Sequence, residues 1–305
     1  MSAVLPFSRP EYNRRKQEQA GRLSISGVQS KYSLQQNGTR LDMTETDGEY
    51  ILKPYVPGGF ENMEDMPANE HVTMQIAKQV FKMDVAECAL VFFKDEQTPA
   101  YLTRRFDVMG NGEKRLQEDF AQIAQMSEDT NGNNYKYEFS YEEISMLLKK
   151  LVSTYTLQAE RFFQLVLFNY FTNNGDAHLK NFSLFYDPLL ESHLLTPAYD
   201  LLNTRLHLPS ETALALDLFK DDFTTESYVQ NAFYAYDDFM AFGEKILIRK
   251  NRIEKYIHQL SDKEDDVYAL LDTSFLSEES KQTYKKYLMD RLKAIRYSFL
   301  TQRAL

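Results

Sequence analysis

The chain has no tryptophan and, among its 305 residues, a single cysteine, Cys88. One thiol excludes an intrachain disulfide and an all-cysteine zinc site. Within "AECALVFF", Cys88 reads as an inward-facing strand residue rather than a reactive nucleophile. Glycine is sparse: "SISGVQSK" holds only Gly27, too few for a Walker-type phosphate nest. Positive charge is in deficit, with 35 basic against 45 acidic residues and a formal net charge of -10. That balance argues against broad nucleic-acid binding, which needs a positive field, so no direct nucleic-acid contact is expected. No apolar run approaches the roughly 20 residues of a membrane helix, and none is expected. The N-terminal "MSAVLPFSRPEYNRRKQEQAG" lacks the apolar core of a secretion signal, so a cytoplasmic location is expected.

What is present is a globular composition, 43% hydrophobic and 26% charged, on a chain long enough for two lobes. The first third reads as strands. "SKYSLQQ", "TRLDMTE" and "EYILKPY" are separated by the turn dipeptides Asn37-Gly38 and Asp47-Gly48. A helix follows over "PANEHVTMQIAKQVFKM", with Val72, Ile76, Ala77, Val80 and Phe81 on one face, and then the strands "ECALVFF" and "AYLTRRF". From about Glu118 helices dominate. "SEDTNGNNYKYEF" has no periodicity and reads as a mobile loop, Ser140-Tyr141-Glu142-Glu143 as a capping box, and Leu157 to Phe171 as a buried helix. The expectation is an α+β fold with a small β-rich N-lobe, residues 1–117, and a larger, mainly helical C-lobe, residues 118–305.

After the buried helix comes "NGDAHLKNFS", where two amides, a carboxylate, an imidazole and an ammonium crowd one loop. Asp176 and Asn181 stand five apart, the D-x-x-x-x-N spacing of the protein-kinase catalytic loop. One oxygen group there takes a hydroxyl proton while the other holds a hard cation. Asp200, in "TPAYDLLNT" after the next strand pair, is the candidate second metal ligand. The β lobe should supply a phosphate-binding ammonium, Lys53 at the end of "EYILK", and a carboxylate to orient it, Glu70 at the helix start.

"SISGVQSKYSL", "YILKP", "ANEH", "RRFD", "QEDFAQ", "NGDAHLKNFSLF" and "TPAYDLLNT" occur in the order found in HipA-type serine/threonine kinases, the toxins of bacterial toxin–antitoxin modules. The resemblance spans roughly residues 22 to 300 and implies a bilobal, protein-kinase-like (HipA-like) fold. By this resemblance the chain is expected to begin almost at the phosphate loop and to lack the family's additional N-terminal β subdomain. In this it is most similar to the short HipT kinases of three-component modules.

The resemblance implies Asp176 as catalytic base and Asn181 and Asp200 as magnesium ligands. It implies Lys53 as the ATP lysine and Ser26, Gly27, Val28, Gln29, Ser30 and Lys31 as the loop over the phosphates. His178, Leu179, Lys180 and Tyr199 would lie beside the nucleotide phosphates, and Glu118, Asp119 and Phe120 would form the hinge around adenine. Ser24 and Ser26 are the expected autophosphorylation sites, because a phosphoserine there would repel ATP. The implied cofactors are ATP and Mg2+. The implied partners are a protein substrate, by family expectation an aminoacyl-tRNA synthetase, a HipB-like DNA-binding antitoxin, and a small HipS-like protein replacing the missing subdomain. The alternatives are a small-molecule or lipid-headgroup kinase of related fold and a pseudokinase acting by binding.

Overall fold

The computed structural model describes residues 2–19, 31–45, 48–55, 58–94, 96–110, 112–301 and 303–304. Ser24 and the stretch 26–30 expected over the phosphates lie outside the described residues.

Five antiparallel strands, β1 (Tyr32–Asn37), β2 (Arg40–Met43), β3 (Tyr50–Lys53), β4 (Cys88–Phe92) and β5 (Pro99–Arg104), form a sheet in the order β2-β1-β3-β5-β4. The β1–β2 hairpin turns at Gly38, whose φ of 59° is the left-handed conformation a tight hairpin turn needs. Cys88 sits half-buried in β4, where burial pushes its thiol up to about 11.

Alternation along the strands decides what each face of this sheet carries. Leu34, Leu52, Val91, Ala100 and Leu102 pack on one side against Leu5, Phe7 and Tyr12 from the N-terminal segment. Tyr12 belongs to α1 (Arg9–Gln19), and its ring lies 5.3 Å from Tyr32 and 5.6 Å from Phe93. Lys53, one residue beyond Leu52, goes to the other side with its cross-strand partner Tyr101. There lies α2 (Met66–Gln75), which continues as a π-helical turn, Ile76–Val80. A strand thus delivers a lysine to the helix that packs against β4 and β5 of this sheet.

The rest of the chain is mainly helical. A second, three-stranded sheet of β6 (Gln117–Asp119), β7 (Ser183–Asp187) and β8 (Ser192–Leu195) runs in the order β6-β7-β8. Between β6 and β7 come the helices α3 (Phe120–Ile123), α4 (Glu128–Asn131), α5 (Tyr141–Leu151) and α6 (Tyr155–Phe171). Ser140 caps α5 as expected: Ser140 Oγ accepts from the Glu143 N–H, and the Glu143 carboxylate accepts from the Ser140 N–H. α6 is buried on nearly every face between Phe162 and Phe171, and its core is continuous with Val72 of α2 and Ile76 of the π-helical turn. Beyond it stand α7 (Glu226–Asn231), α8 (Tyr236–Lys245), α9 (Lys250–Asp262), α10 (Glu264–Asp272) and α11 (Glu278–Arg296). Tyr284 of α11 shares a 2.9 Å hydrogen bond with Thr73 of α2, tying the outer layer to the first lobe. The architecture is α+β, with a small β-rich lobe on a larger helical one. No helix among the described residues is long and apolar enough to cross a membrane.

The 127–139 stretch departs from the loop expected of it. It holds α4 and a 3-10 turn at Tyr135–Tyr137, and Ser127 and Thr130 cap each other's backbone. Local hydrogen bonds rather than apolar spacing shape these turns, so periodicity does not display them.

Candidate active site

α6 ends at Phe171, and the chain turns through Asn173, whose φ of 54° breaks the helix. The loop that follows is held from several sides. Thr204 Oγ1 accepts from the Gly175 N–H at 2.9 Å and donates to the Asn173 carbonyl at 3.0 Å. Tyr141 donates to the Ala177 carbonyl at 2.9 Å. Asn174 Nδ2 donates to Asn169 Oδ1 at 3.0 Å and to the Asp200 carbonyl at 3.2 Å, joining the loop to the segment after β8. Asp200 itself adopts φ 54°, a left-handed conformation that Asp tolerates better than most residues.

At the centre, Lys53 Nζ lies 2.5 Å from both Glu70 Oε1 and Asp200 Oδ1, with Lys31 Nζ 3.5 Å from Asp200 Oδ2. Burial alone would lower the Lys53 ammonium, but the Asp200 and Glu70 charges outweigh it and hold it above its ordinary value. Burial alone would raise the Asp200 carboxyl, yet Lys53 and Lys31 keep it well below the usual carboxylate range. Burial pushes Glu70 up, and the Asp200 charge adds to this, so Asp200 is the firmer anion of the two.

Two cavities meet at this cluster. The first, about 310 Å³, is lined by Lys53, Glu70, Asp176, His178, Asn181 and Asp200 together with Lys31, Tyr137, Thr204 and Glu211, and walled by Phe60, Met66, Leu202 and Leu208. The second, about 230 Å³, shares Lys31, His178, Asn181 and Asp200 and adds Gln117, Asp119, Gln122, Lys180, Ser183 and Tyr199. Asp176 therefore faces only the first, and the β6 edge only the second. His178 is buried, which pushes its imidazole down to about 4; its Nε2 stands 3.6 Å from Asp176 Oδ1. Tyr199 donates to the Lys180 carbonyl at 2.8 Å, bracing the loop.

Asp176, Asn181, Asp200, Lys53, Glu70, Lys31 and His178 are thus brought together, and Asp119, Lys180 and Tyr199 border the same space. Leu179 and Phe120 are instead fully buried in the core, and Glu118 lines neither cavity. At the expected hinge, Asp119 caps α3 in a reciprocal pair of 2.9 Å bonds with Gln122. Gln117 and Gln122 line the second cavity without having been expected there, and the spacing of Asp119 to Gln122, a capping pair just past a strand, is the signal that finds Gln122. Tyr137, Lys136 and Glu211 on the first cavity carry no comparable signal.

Asn181 Oδ1 is buried and has no hydrogen-bond partner among the described residues. A buried carbonyl oxygen left unpaired is costly, so it implies a ligand. With the Asp200 carboxylate it makes a hard-oxygen pair suited to magnesium.

Residues 23–267 match the HipA-like C-terminal domain. A candidate kinase of Haemophilus influenzae is 31% identical over 303 residues, covering 93% of this chain and 86% of its own length. The serine/threonine-protein kinase toxin HipA of Shewanella oneidensis is 29% identical over 256 residues, covering 78% of this chain and 56% of the toxin. In three dimensions, the Shewanella oneidensis toxin–antitoxin complex of HipA, HipB and operator DNA contains a chain similar with a TM-score of 0.71 at 24% identity, over 97% of this chain and 71% of that one. The Helicobacter pylori proinflammatory kinase CtkA is similar with a TM-score of 0.56 at 13% identity, over 86% and 93%. These last two are likenesses of fold. The fold and the matched 245-residue span together make this chain a member of the family of the HipA-like C-terminal domain, the HipA-type kinases.

Proposed function

We propose that the chain is an ATP-dependent serine/threonine protein kinase and the toxin of a bacterial toxin–antitoxin module, with lobes divided between residues 117 and 118. The observation that carries this reading is the junction of two cavities at Asp200 and Asn181, with a carboxylate on one side and a hinge-like strand edge on the other. ATP would lie across the junction, with adenine toward Gln117 to Gln122 in the second cavity and its phosphates toward Lys31, shared by both, and Lys53 in the first. The acceptor hydroxyl fits the first. Asp176 takes its proton as the oxygen attacks the γ-phosphorus, the new P–O bond forms, and the bond to the β-phosphate oxygen of departing ADP breaks. Lys53, fixed by Glu70, holds the phosphates, and the neutral His178 shapes the loop between Asp176 and Asn181. Magnesium held by Asn181 and Asp200 would neutralise charge on the transferred phosphoryl group.

A protein target, by family an aminoacyl-tRNA synthetase, belongs to this proposal, as do a HipB-like antitoxin and a small HipS-like companion. Ser24 and Ser26 are proposed autophosphorylation sites on the strength of the resemblance; peptide mass spectrometry after Mg-ATP incubation reads them. The function is tested with labelled ATP on bacterial lysate, comparing wild type with Asp176→Asn. A labelled protein band, reduced at least roughly a hundredfold in the variant with ATP binding retained, is the expected result. Label confined to small molecules would replace this reading with that of a metabolite kinase.

A further inference from the structure

The candidate base already has a hydroxyl on it. Tyr137, at the end of the 3-10 turn, donates from its phenol to Asp176 Oδ1 at 2.6 Å. Its ring meets the His178 imidazole edge-on, with centroids 5.2 Å apart, and the Lys136 ammonium lies 4.9 Å from the ring centre. Ring and hydroxyl stand in the first cavity, on the side away from the β6 edge. A general base must come within about 2.6–3.2 Å of the proton it removes. The Tyr137 hydroxyl meets that requirement, so it holds the place an acceptor hydroxyl needs.

The segment that carries it is lightly held. Neither α4 nor the 3-10 turn contains a buried residue, and Tyr137 is itself 37% exposed. Few buried apolar contacts mean a low cost of local opening. Tyr135 and Phe139 on either side of Tyr137 rest partly buried against the core, and the firm anchor is Ser140, which bridges to Asp217 and caps α5.

We propose that Tyr137 is an internal occupant of the acceptor subsite, a built-in competitor that the 127–139 segment must withdraw before a protein hydroxyl can reach Asp176. The inference rests on the reading of Asp176 as the base. The subsite takes a hydroxyl whose stem passes the His178 imidazole, in a cavity that Phe60 and Leu208 also line. The competition is relieved by substrate binding itself or by any partner that holds the segment away.

The test uses the full chain, with dephosphorylated casein as a generic seryl acceptor. Tyr137→Phe keeps the ring and removes the donor, and Tyr137→Ala removes both. A hydrogen bond to a charged group shifts an equilibrium by about tenfold or more. Tyr137→Phe should therefore lower the acceptor KM by about tenfold or more, Tyr137→Ala by at least as much, and neither should move the KM for ATP. An acceptor KM unchanged or raised in both variants overturns the proposal.

A second readout is independent of catalysis. Tetranitromethane nitrates the phenolate, so a phenol hydrogen-bonded to Asp176 is protected. Peptide mass spectrometry should find Tyr137 nitrated several-fold more slowly than the exposed Tyr186 in wild type, and at a similar rate in Asp176→Ala. Equal rates in wild type mean that the contact does not exist and overturn the inference whatever the enzyme does. Protection without transfer by wild type or either variant overturns the kinase reading, and the competitor role with it, while leaving the contact standing.

Discussion

Lys53 and Glu70, 17 positions apart in the chain, meet at 2.5 Å with side chains only 4% and 1% exposed. A buried pair of this kind is weak evidence for net stability, because desolvation offsets much of the attraction; removing one partner is what costs. Lys53→Met strands Glu70 without its cation and frees Asp200 from its nearest one. We expect a loss of about 3 kcal/mol in unfolding free energy, at the low end for a broken buried pair because Glu70, already pushed up by burial, can protonate. Phosphoryl transfer should fall by far more than stability explains. Urea titration at pH 7 checks the first part, and a variant within about 1 kcal/mol of wild type would mean that the pair is not buried as described.

Gly175 stands between the helix end and the candidate base because nothing larger fits. A Cβ there would lie 2.3 Å from Glu211 Cγ and 2.5 Å from the Thr212 carbonyl oxygen. Glu211 can swing aside, but the Thr212 carbonyl is backbone and cannot. Gly175→Ala should cost about 1–3 kcal/mol, the range for overpacking. By pushing Asp176 out of position it should also lower kcat by roughly a hundredfold, the scale of a 1 Å misplacement. Wild-type kcat in a stably folded Gly175→Ala protein would show that the loop can relax around the methyl group.

How far the site is legible in the sequence follows from how local each constraint is. Asp176 and Asn181 share one loop, so their spacing survives in the text, and Asp200 follows the β7–β8 pair that strand patterning reveals. Lys53 and Glu70 are legible because period-2 alternation sends Lys53 away from the Leu52 face, toward a helix whose start Pro67 marks. Tyr137 is not legible. Its contact with Asp176 joins residues 39 apart, and the segment between them is shaped by capping bonds. The N-terminal cover of the sheet is hidden for another reason: Leu5 and Phe7 sit in the short run "AVLPF" broken by Pro6, Tyr12 stands alone in polar surroundings, and the three make no helical stripe. Phe120 shows another limit, since the motif that places it at the hinge does not reveal that its ring is buried in the core.

Burial pushes down His71, His178 and His207, and for the last two the sign of the resulting pH dependence can be worked out from their contacts. His207 Nδ1 faces the Glu61 carbonyl at 2.9 Å, which only accepts, so Nδ1 carries the proton. Its Nε2 lies 2.9 Å from Asn69 Nδ2, which must be the amide nitrogen because Asn69 Oδ1 accepts from the Asn203 N–H. Nε2 is therefore an acceptor, and protonating it would set two donors face to face. Burial lowers the His207 imidazole accordingly, and burial lowers His178 to about 4. Both groups hold a proton less readily folded than unfolded, so stability is complete above the unfolded value of 6.5 and is lost as pH falls toward the folded value. For His178 the loss approaches roughly 3 kcal/mol near pH 4, taking 1.36 kcal/mol per pH unit. Glu70, Glu211 and Asp238, all raised by burial, work in the opposite direction, so the wild-type slope alone does not isolate the effect. The difference between profiles does: urea-unfolding free energies from pH 7 down to pH 4.5 should fall less steeply for His178→Gln and for His207→Gln than for wild type. Parallel profiles across that window would mean that both imidazoles titrate as freely in the folded protein as in the unfolded chain.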